Sequence, residues 1–224
     1  INPDKWSWEI NGDGGGNNEL QYYTAQPTNS FIDNGKLIIK AIKENYSGKE
    51  YTSARLRTLN KGDWLYGRIE VSAKIPTGRG TWPAIWMLSS NWSYGGWPES
   101  GEIDIMEHVG YDPNVIHGSI HTKAYNHTIG TQKSASLNIP NATSSYHTYA
   151  IEWFADRIDF YIDQYKYFTF NNENSGWEKW PFDKRFHLIL NVAVGGNWGG
   201  VQGIDVNAFP ARMEVDFVRV YKKD

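Results

Sequence analysis

The chain of 224 residues contains no cysteine, which excludes disulfides and thiolate metal sites. A cytosolic protein fits this, and so does an exported bacterial one held together by its core alone. No apolar run approaches the ~18 residues of a membrane-spanning helix. Neither sign of charge dominates: 22 Lys and Arg stand against 25 Asp and Glu, for a formal charge of −3. Nucleic acid and acidic membrane surfaces therefore exert no global pull, and neither is expected as a partner. There is no internal repeat, linker or low-complexity tract, and no window with a long amphipathic helix; only 177–184 has room for one short helical turn. The chain opens at Ile1 without Met or a signal-like segment, as a processed or trimmed chain would. Four Asn-x-Ser/Thr sequons, at Asn45, Asn91, Asn126 and Asn141, are what chance gives in an Asn-rich chain.

What is abundant is aromatic. Eleven Trp and fourteen Tyr in 224 residues supply either core filling or the flat stacking surfaces that sugars use. Short β-rich runs separated by Gly, Pro and Asn cover 36–41, 67–75, 117–121, 146–154, 157–162, 165–169, 186–193 and 213–221. Alternation is clean in 68–74, where Ile69, Val71 and Ala73 oppose Arg68, Glu70 and Lys74. The stretch 157–166 reads as a hairpin turning at Asp163-Gln164. Many short strands with regular turn signals predict a single all-β domain over 1–224, a sandwich of two sheets. Three polar, Gly-rich connections, at 11–18, 89–99 and 195–203, are the natural binding loops on such a scaffold.

The segment Glu102-Ile-Asp104-Ile-Met-Glu107 places three carboxylates among apolar residues. On a helix Glu102 lies roughly 140–200° from the other two, and the three share no face. On a regular strand Glu102 and Asp104 share a face and Glu107 takes the opposite one. One extra residue, a β-bulge at Met106 or its immediate neighbour, returns Glu107 to the first face and leaves Ile103 and Ile105 in the core. Crowded like charges raise at least one pKa, which suits acid–base chemistry. By strand rise Glu102 and Glu107 are then about 13 Å apart at Cα. Their long side chains, leaning inward over Asp104, can bring the carboxyls to roughly 5–6 Å, the separation of a retaining glycosidase. A Ca²⁺ or Mg²⁺ site is the rival reading, although such cages usually draw ligands from a flexible loop. A merely structural cluster on an edge strand is the third.

The run Gly78-Arg-Gly-Thr-Trp82-Pro-Ala-Ile-Trp86, followed by Trp97-Pro-Glu-Ser-Gly-Glu102-Ile-Asp104-Ile-Met-Glu107-His, resembles glycoside hydrolase family 16, and within it the bacterial laminarinases. The resemblance extends over 16–24, 51–56, 66–70, 117–121, 191–196 and 213–221, essentially the whole chain. It implies a β-jelly-roll sandwich of two antiparallel sheets, with a carbohydrate cleft on the concave face, in a secreted, monomeric endo-1,3-β-glucanase. It implies a retaining double displacement without a catalytic cofactor: Glu102 as nucleophile, Glu107 as acid/base, Asp104 tuning the nucleophile. The extra motif residue favours laminarinase- or agarase-like members over unbulged lichenases. Substrate contacts are implied for Trp82, Trp86, Trp97, His121, Arg55, Asn17 and Asn18; Trp86, in an apolar run, is equally a core candidate. A structural Ca²⁺ is implied at Asp216, with carbonyls near Glu9 and Gly35. Mixed-linkage glucan or agarose cleavage, transglycosylation and a non-catalytic glucan-binding module remain open.

Overall fold

A computed structural model, describing residues 1–222, shows how the alternation in 68–74 is used. Ile69, Val71 and Ala73 are fully buried between two sheets, while Arg68, Glu70, Ser72 and Lys74 turn to the outer face. The same logic repeats along neighbouring strands, so each sheet has one apolar inner face and one polar outer face.

The first sheet has eight strands. It runs from Ser7–Trp8 at one edge through Arg55–Arg57, Phe186–Val194, Thr81–Ser89, Glu102–Glu107 and Val115–His121 to Lys133–Asn138, and Asp63–Trp64 also pairs with Phe186–Val194. The second has nine strands, from Tyr165–Asn171 through Arg157–Ile162, His147–Trp153, Gly67–Lys74, Ala211–Tyr221, Lys36–Tyr46 and Lys49–Ser53 to Gln21–Tyr23, with Ser30–Asp33 pairing to Lys36–Tyr46. Among the described residues all ladders are antiparallel except one, the Gln21–Tyr23 pairing with Lys49–Ser53, which is parallel. Trp153, Phe160, Phe182, Phe186, Ile85 and Ile103 are among the side chains fully enclosed between the layers.

The hairpin at Asp163-Gln164 is present, with Ile162 opposite Tyr165 and Asp163 at φ 55°. The short turn expected within 177–184 is present at 177–179, closed by Trp180 N–H donating to the Gly176 carbonyl at 3.1 Å, and the one α-helix among the described residues is Gly196–Gly199. Its place in a Gly-rich loop hid it from any periodicity. On the outer face of the nine-stranded sheet, basic and acidic side chains interleave along and across strands: Arg68 with Glu70 (3.0 Å) and Glu152 (3.2 Å), Lys74 and Arg212 with Glu214 (both 3.0 Å), and Arg157 (3.0 Å) and Lys166 (3.5 Å) with Asp159.

Candidate active site

Glu102–Glu107 is an interior strand of the eight-stranded sheet, hydrogen-bonded on both sides. Against Thr81–Ser89, Glu102 pairs with Leu88, Asp104 with Trp86, Met106 with Ile85 and Glu107 with Ala84. Ile105 is the residue left over, so the bulge expected from the carboxylate spacing lies at Ile105–Met106. Ile103, Ile105 and Met106 are all fully buried in the core. The acids are thereby turned together to the outer face, opposite His121, Ser119 and His117 of the next strand. Two-sided pairing of the backbone makes this a rigid mount.

Each outer glutamate has an indole donor. Trp97 Nε1 donates to Glu102 Oε2 at 2.9 Å, and Trp82 Nε1 donates to Glu107 Oε1 at 3.0 Å. His121 Nε2 lies 3.3 Å from Asp104 Oδ2 and 3.8 Å from Glu102 Oε1. Burial, with Asp104 beside it, pushes the Glu102 carboxyl well above the usual range; His121 and the Trp97 N–H oppose this. Asp104 is raised well above its usual range by burial and by Glu107, against a hydrogen bond with Glu102. Burial also raises Glu107, with His121 and Trp82 pulling the other way. Three buried acids this close titrate as a group, and protons stay on the cluster at pH values where free carboxyls have lost theirs.

Aromatic side chains flank the acids. Trp97 is 37% exposed and stands 6.1 Å from His121 and 5.1 Å from His127, centroid to centroid. On the Glu107 side, Trp82 meets Trp198 edge-on, and Trp198 in turn meets His117. Trp86 is half-buried on the outer face, with the Arg55 guanidinium 4.6 Å over its ring. This decides its position between core and cleft: it belongs to the acid-bearing face, in register with Asp104.

Two of the Gly-rich loops are stitched together beside Trp82. Asn197 N–H donates to the Asn17 carbonyl at 2.7 Å, and Asn18 Nδ2 donates to Asn197 Oδ1 at 2.9 Å. Gly196, at φ 76°, makes this possible: a Cβ there would fall 2.9 Å from Asn17 O and 3.4 Å from Trp82 Cζ3. Asn17 and Asn18 thus reach the Trp82 side of the site.

The residues expected at a metal lie elsewhere. Glu9 directs its carboxylate at Arg57 (3.3 Å) and Arg55 (3.6 Å), whereas Asp216 accepts from Lys36 Nζ at 2.7 Å, beside the turn that holds Gly35. Among the described residues the one His/Asp/Glu group with metal-ligating proximity is Glu102, Asp104 and His121, within 4.8 Å of one another.

Two carboxyls on one sheet face, with a third between them and aromatic walls on both sides, form an arrangement suited to cleaving a glycosidic bond. Comparison with known proteins gives the same answer. The profile described as glycosyl hydrolases family 16 matches residues 17–219. The chain belongs to that family.

Among its relatives within family 16, a beta-glucanase of Rhodothermus marinus is 54% identical over 98% of this chain and 80% of its own length. A glucan endo-1,3-beta-glucosidase of Cryptopygus antarcticus is 39% identical over 90% of this chain and 79% of its own. The X-ray structure of the laminarinase from Rhodothermus marinus superposes with a TM-score of 0.98 at 53% identity, covering 99% of this chain and 92% of that one. The sandwich is therefore the family 16 jelly roll.

Several residues at the site carried no sequence expectation. Trp198 belongs to a loop singled out as polar and Gly-rich, yet nothing in its spacing tied it to Trp82. His117 alternates with His121 along Val115–His121, a period-2 signal that points both to one face. Glu19, Tyr23 and Asn191 form a buried hydrogen-bonded group behind Trp86. Long-range pairing brings them together, and no local pattern records it.

Proposed function

We propose that the protein is an endo-acting, retaining β-glucanase that hydrolyses β-1,3-glucosidic bonds in laminarin-type glucans. The observation that carries this is the bulge that turns Glu102 and Glu107 to one face, each with an indole N–H on one carboxyl oxygen. Glu102, with the Trp97 N–H and His121 favouring its ionised form, attacks the anomeric carbon. Glu107, whose carboxyl burial raises above its usual range, donates a proton to the departing glycosidic oxygen. A covalent glycosyl–Glu102 ester results. Glu107, now a base, takes a proton from water as the water oxygen attacks the same carbon, and Glu102 leaves as carboxylate. Asp104, the most enclosed of the three and hydrogen-bonded with Glu102, shares the protons of the cluster and limits the charge crowding that would otherwise keep the nucleophile neutral.

Trp82, Trp86 and Trp97 are assigned to sugar stacking, and His121, Arg55, Asn17 and Asn18 to sugar hydroxyls or to the acids themselves. A polymeric substrate too large to be imported intact supports reading the enzyme as secreted. The test is the product profile of purified protein on laminarin, mixed-linkage β-1,3-1,4-glucan and agarose in parallel. Rapid release of short β-1,3-oligosaccharides from laminarin is expected. Cleavage of agarose alone would replace the substrate, and binding without any products would replace the reaction with lectin-like recognition.

A structural Ca²⁺ at Asp216 is a second element of the proposal. The donors that the resemblance implies, one exposed carboxylate with main-chain carbonyls near Glu9 and Gly35, are of the oxygen kind such a cation prefers. The ion has to displace the Lys36 ammonium from Asp216 Oδ1. Millimolar Ca²⁺ is therefore expected to raise the melting midpoint, and Asp216→Ala to abolish that rise, with turnover unaffected. An identical midpoint in Ca²⁺ and in chelator would remove the metal from the proposal.

A further inference from the structure

We propose that Glu19 is a positioning residue for substrate binding, acting through Tyr23 and Asn191 to fix the ring of Trp86. The inference rests on the assignment of Trp86 and Arg55 to the substrate.

The argument is one of hydrogen-bond polarity. At one end of the group stands Trp86 Nε1–H, which can only donate; it gives its proton to Asn191 Oδ1 at 2.7 Å. The Asn191 amide is thereby oriented, and its Nδ2 donates to the Tyr23 hydroxyl oxygen at 3.1 Å. The Tyr23 proton is left to go onward, to Glu19 Oε2 at 3.1 Å. At the other end the Val194 backbone N–H, again donor-only, gives to Gln21 Oε1 at 2.7 Å, so Gln21 Nε2 turns to the same Glu19 Oε2, at 2.6 Å. Donor-only groups at both ends drive all the protons toward the middle. The chain closes only around a group that accepts from both sides, and a carboxylate does so without a competing proton.

All four intermediates are buried: Glu19, Gln21, Tyr23 and Asn191 are at most 6% exposed. In such a setting a misdirected link leaves a polar group unpaired, which is costly, so the order of donors is strongly enforced. The charge of Glu19 has a second effect. Arg55, whose guanidinium covers the faces of both Tyr23 (5.8 Å) and Trp86 (4.6 Å), is attracted by the Glu19 anion. One acid thus orients the indole from beneath and attracts the cation lying over it. Gly15 leaves room for the carboxylate, since a Cβ there would stand 2.6 Å from Glu19 Oε1.

The test compares Glu19→Gln and Tyr23→Phe, each alone and combined with Trp86→Phe, which keeps an aromatic ring and removes the N–H. Readouts are kcat, KM on laminari-oligosaccharides and the melting midpoint. Each single variant is expected to raise KM by about 5–20-fold, the scale of one misdirected buried hydrogen bond, while kcat changes less than about twofold. In the Trp86→Phe background Tyr23→Phe should add little, because its route to the substrate is already cut, and Glu19→Gln should keep only the smaller part that runs through Arg55. Unchanged KM in both variants, or an equal effect of Tyr23→Phe with and without the indole N–H, would overturn the proposal. A purely structural role would lower the melting midpoint and leave KM in place. If Glu19→Gln does not fold, Tyr23→Phe cuts the chain one link later and carries the test alone. Trp86→Ala with unchanged KM would instead overturn the placement of Trp86 at the substrate.

Discussion

Replacing Glu102 by Ser, or Glu107 by Ser, is expected to lower turnover of laminarin by at least ~10³-fold with the melting behaviour retained. The two losses should differ in kind. Without Glu102 no ester forms, so even a substrate with a good leaving group gains nothing. Without Glu107 the leaving oxygen is no longer protonated, and an activated aryl β-glucoside, which needs no proton, should still load the enzyme. A burst of aryl alcohol followed by slow turnover is therefore expected for Glu107→Ser and absent for Glu102→Ser. The reverse pattern would exchange the roles, and near-normal laminarin hydrolysis by either variant would remove that residue from the mechanism. Because the two act in one sequence of steps, the double variant should be little worse than the poorer single one.

The second large effect concerns register. With one residue bulged, Glu102, Asp104 and Glu107 share the outer face. Inserting Ala between Met106 and Glu107 shifts the glutamate by one position and aims it into the apolar layer that holds Ile103, Ile105 and Met106. Activity should fall by at least ~10³-fold, as in Glu107→Ser. Stability should fall by several kcal/mol, because a carboxyl is driven into the core or the strand slips to avoid it. Deleting Met106 is the informative contrast. The shortened segment has its three acids at i, i+2 and i+4, so a regular strand keeps them on one face without a bulge. That variant loses a buried side chain, at about 2–5 kcal/mol, yet should retain far more activity than the insertion. Equal inactivation of the two, with both folded by circular dichroism, would show that the bulge geometry matters beyond the face it selects.

The sequence made the motif legible because its chemistry is local: three acids on an apolar strand admit few arrangements, and a bulge at Met106 or its neighbour is one of them. Strands with one wet face, such as Gly67–Lys74, were legible for the same reason. Thr81–Ser89 was not legible from alternation, because most of its residues are covered on both faces and it reads as a continuous apolar run. Lys133–Asn138 failed in the opposite way, as a polar edge strand with little to bury. The Lys36–Tyr46 strand runs past the expected end at residue 41 because its exposed half is held by pairing with Lys49–Ser53. Within the site, Trp97 and Trp82 were legible as aromatics near the motif. That each would donate to a different glutamate depends on loop geometry. The Glu19–Tyr23–Asn191–Trp86 chain joins residues up to 168 positions apart, and only the completed sheet brings them together.

The outer face of the nine-stranded sheet gives the molecule two unlike surfaces. On the glutamate side, the groups that matter are indole rings and enclosed acids, which dissolved ions reach poorly. On the opposite side, Arg68, Lys74, Arg157 and Lys166 meet their acids along and across strands in partly open water, where salt screens them. Heating weakens the hydration of charged groups, so such a lattice loses less to desolvation in hot water than in cold. Brine and temperature therefore act chiefly on the back of the sandwich, and sugar recognition on the front is left largely to itself.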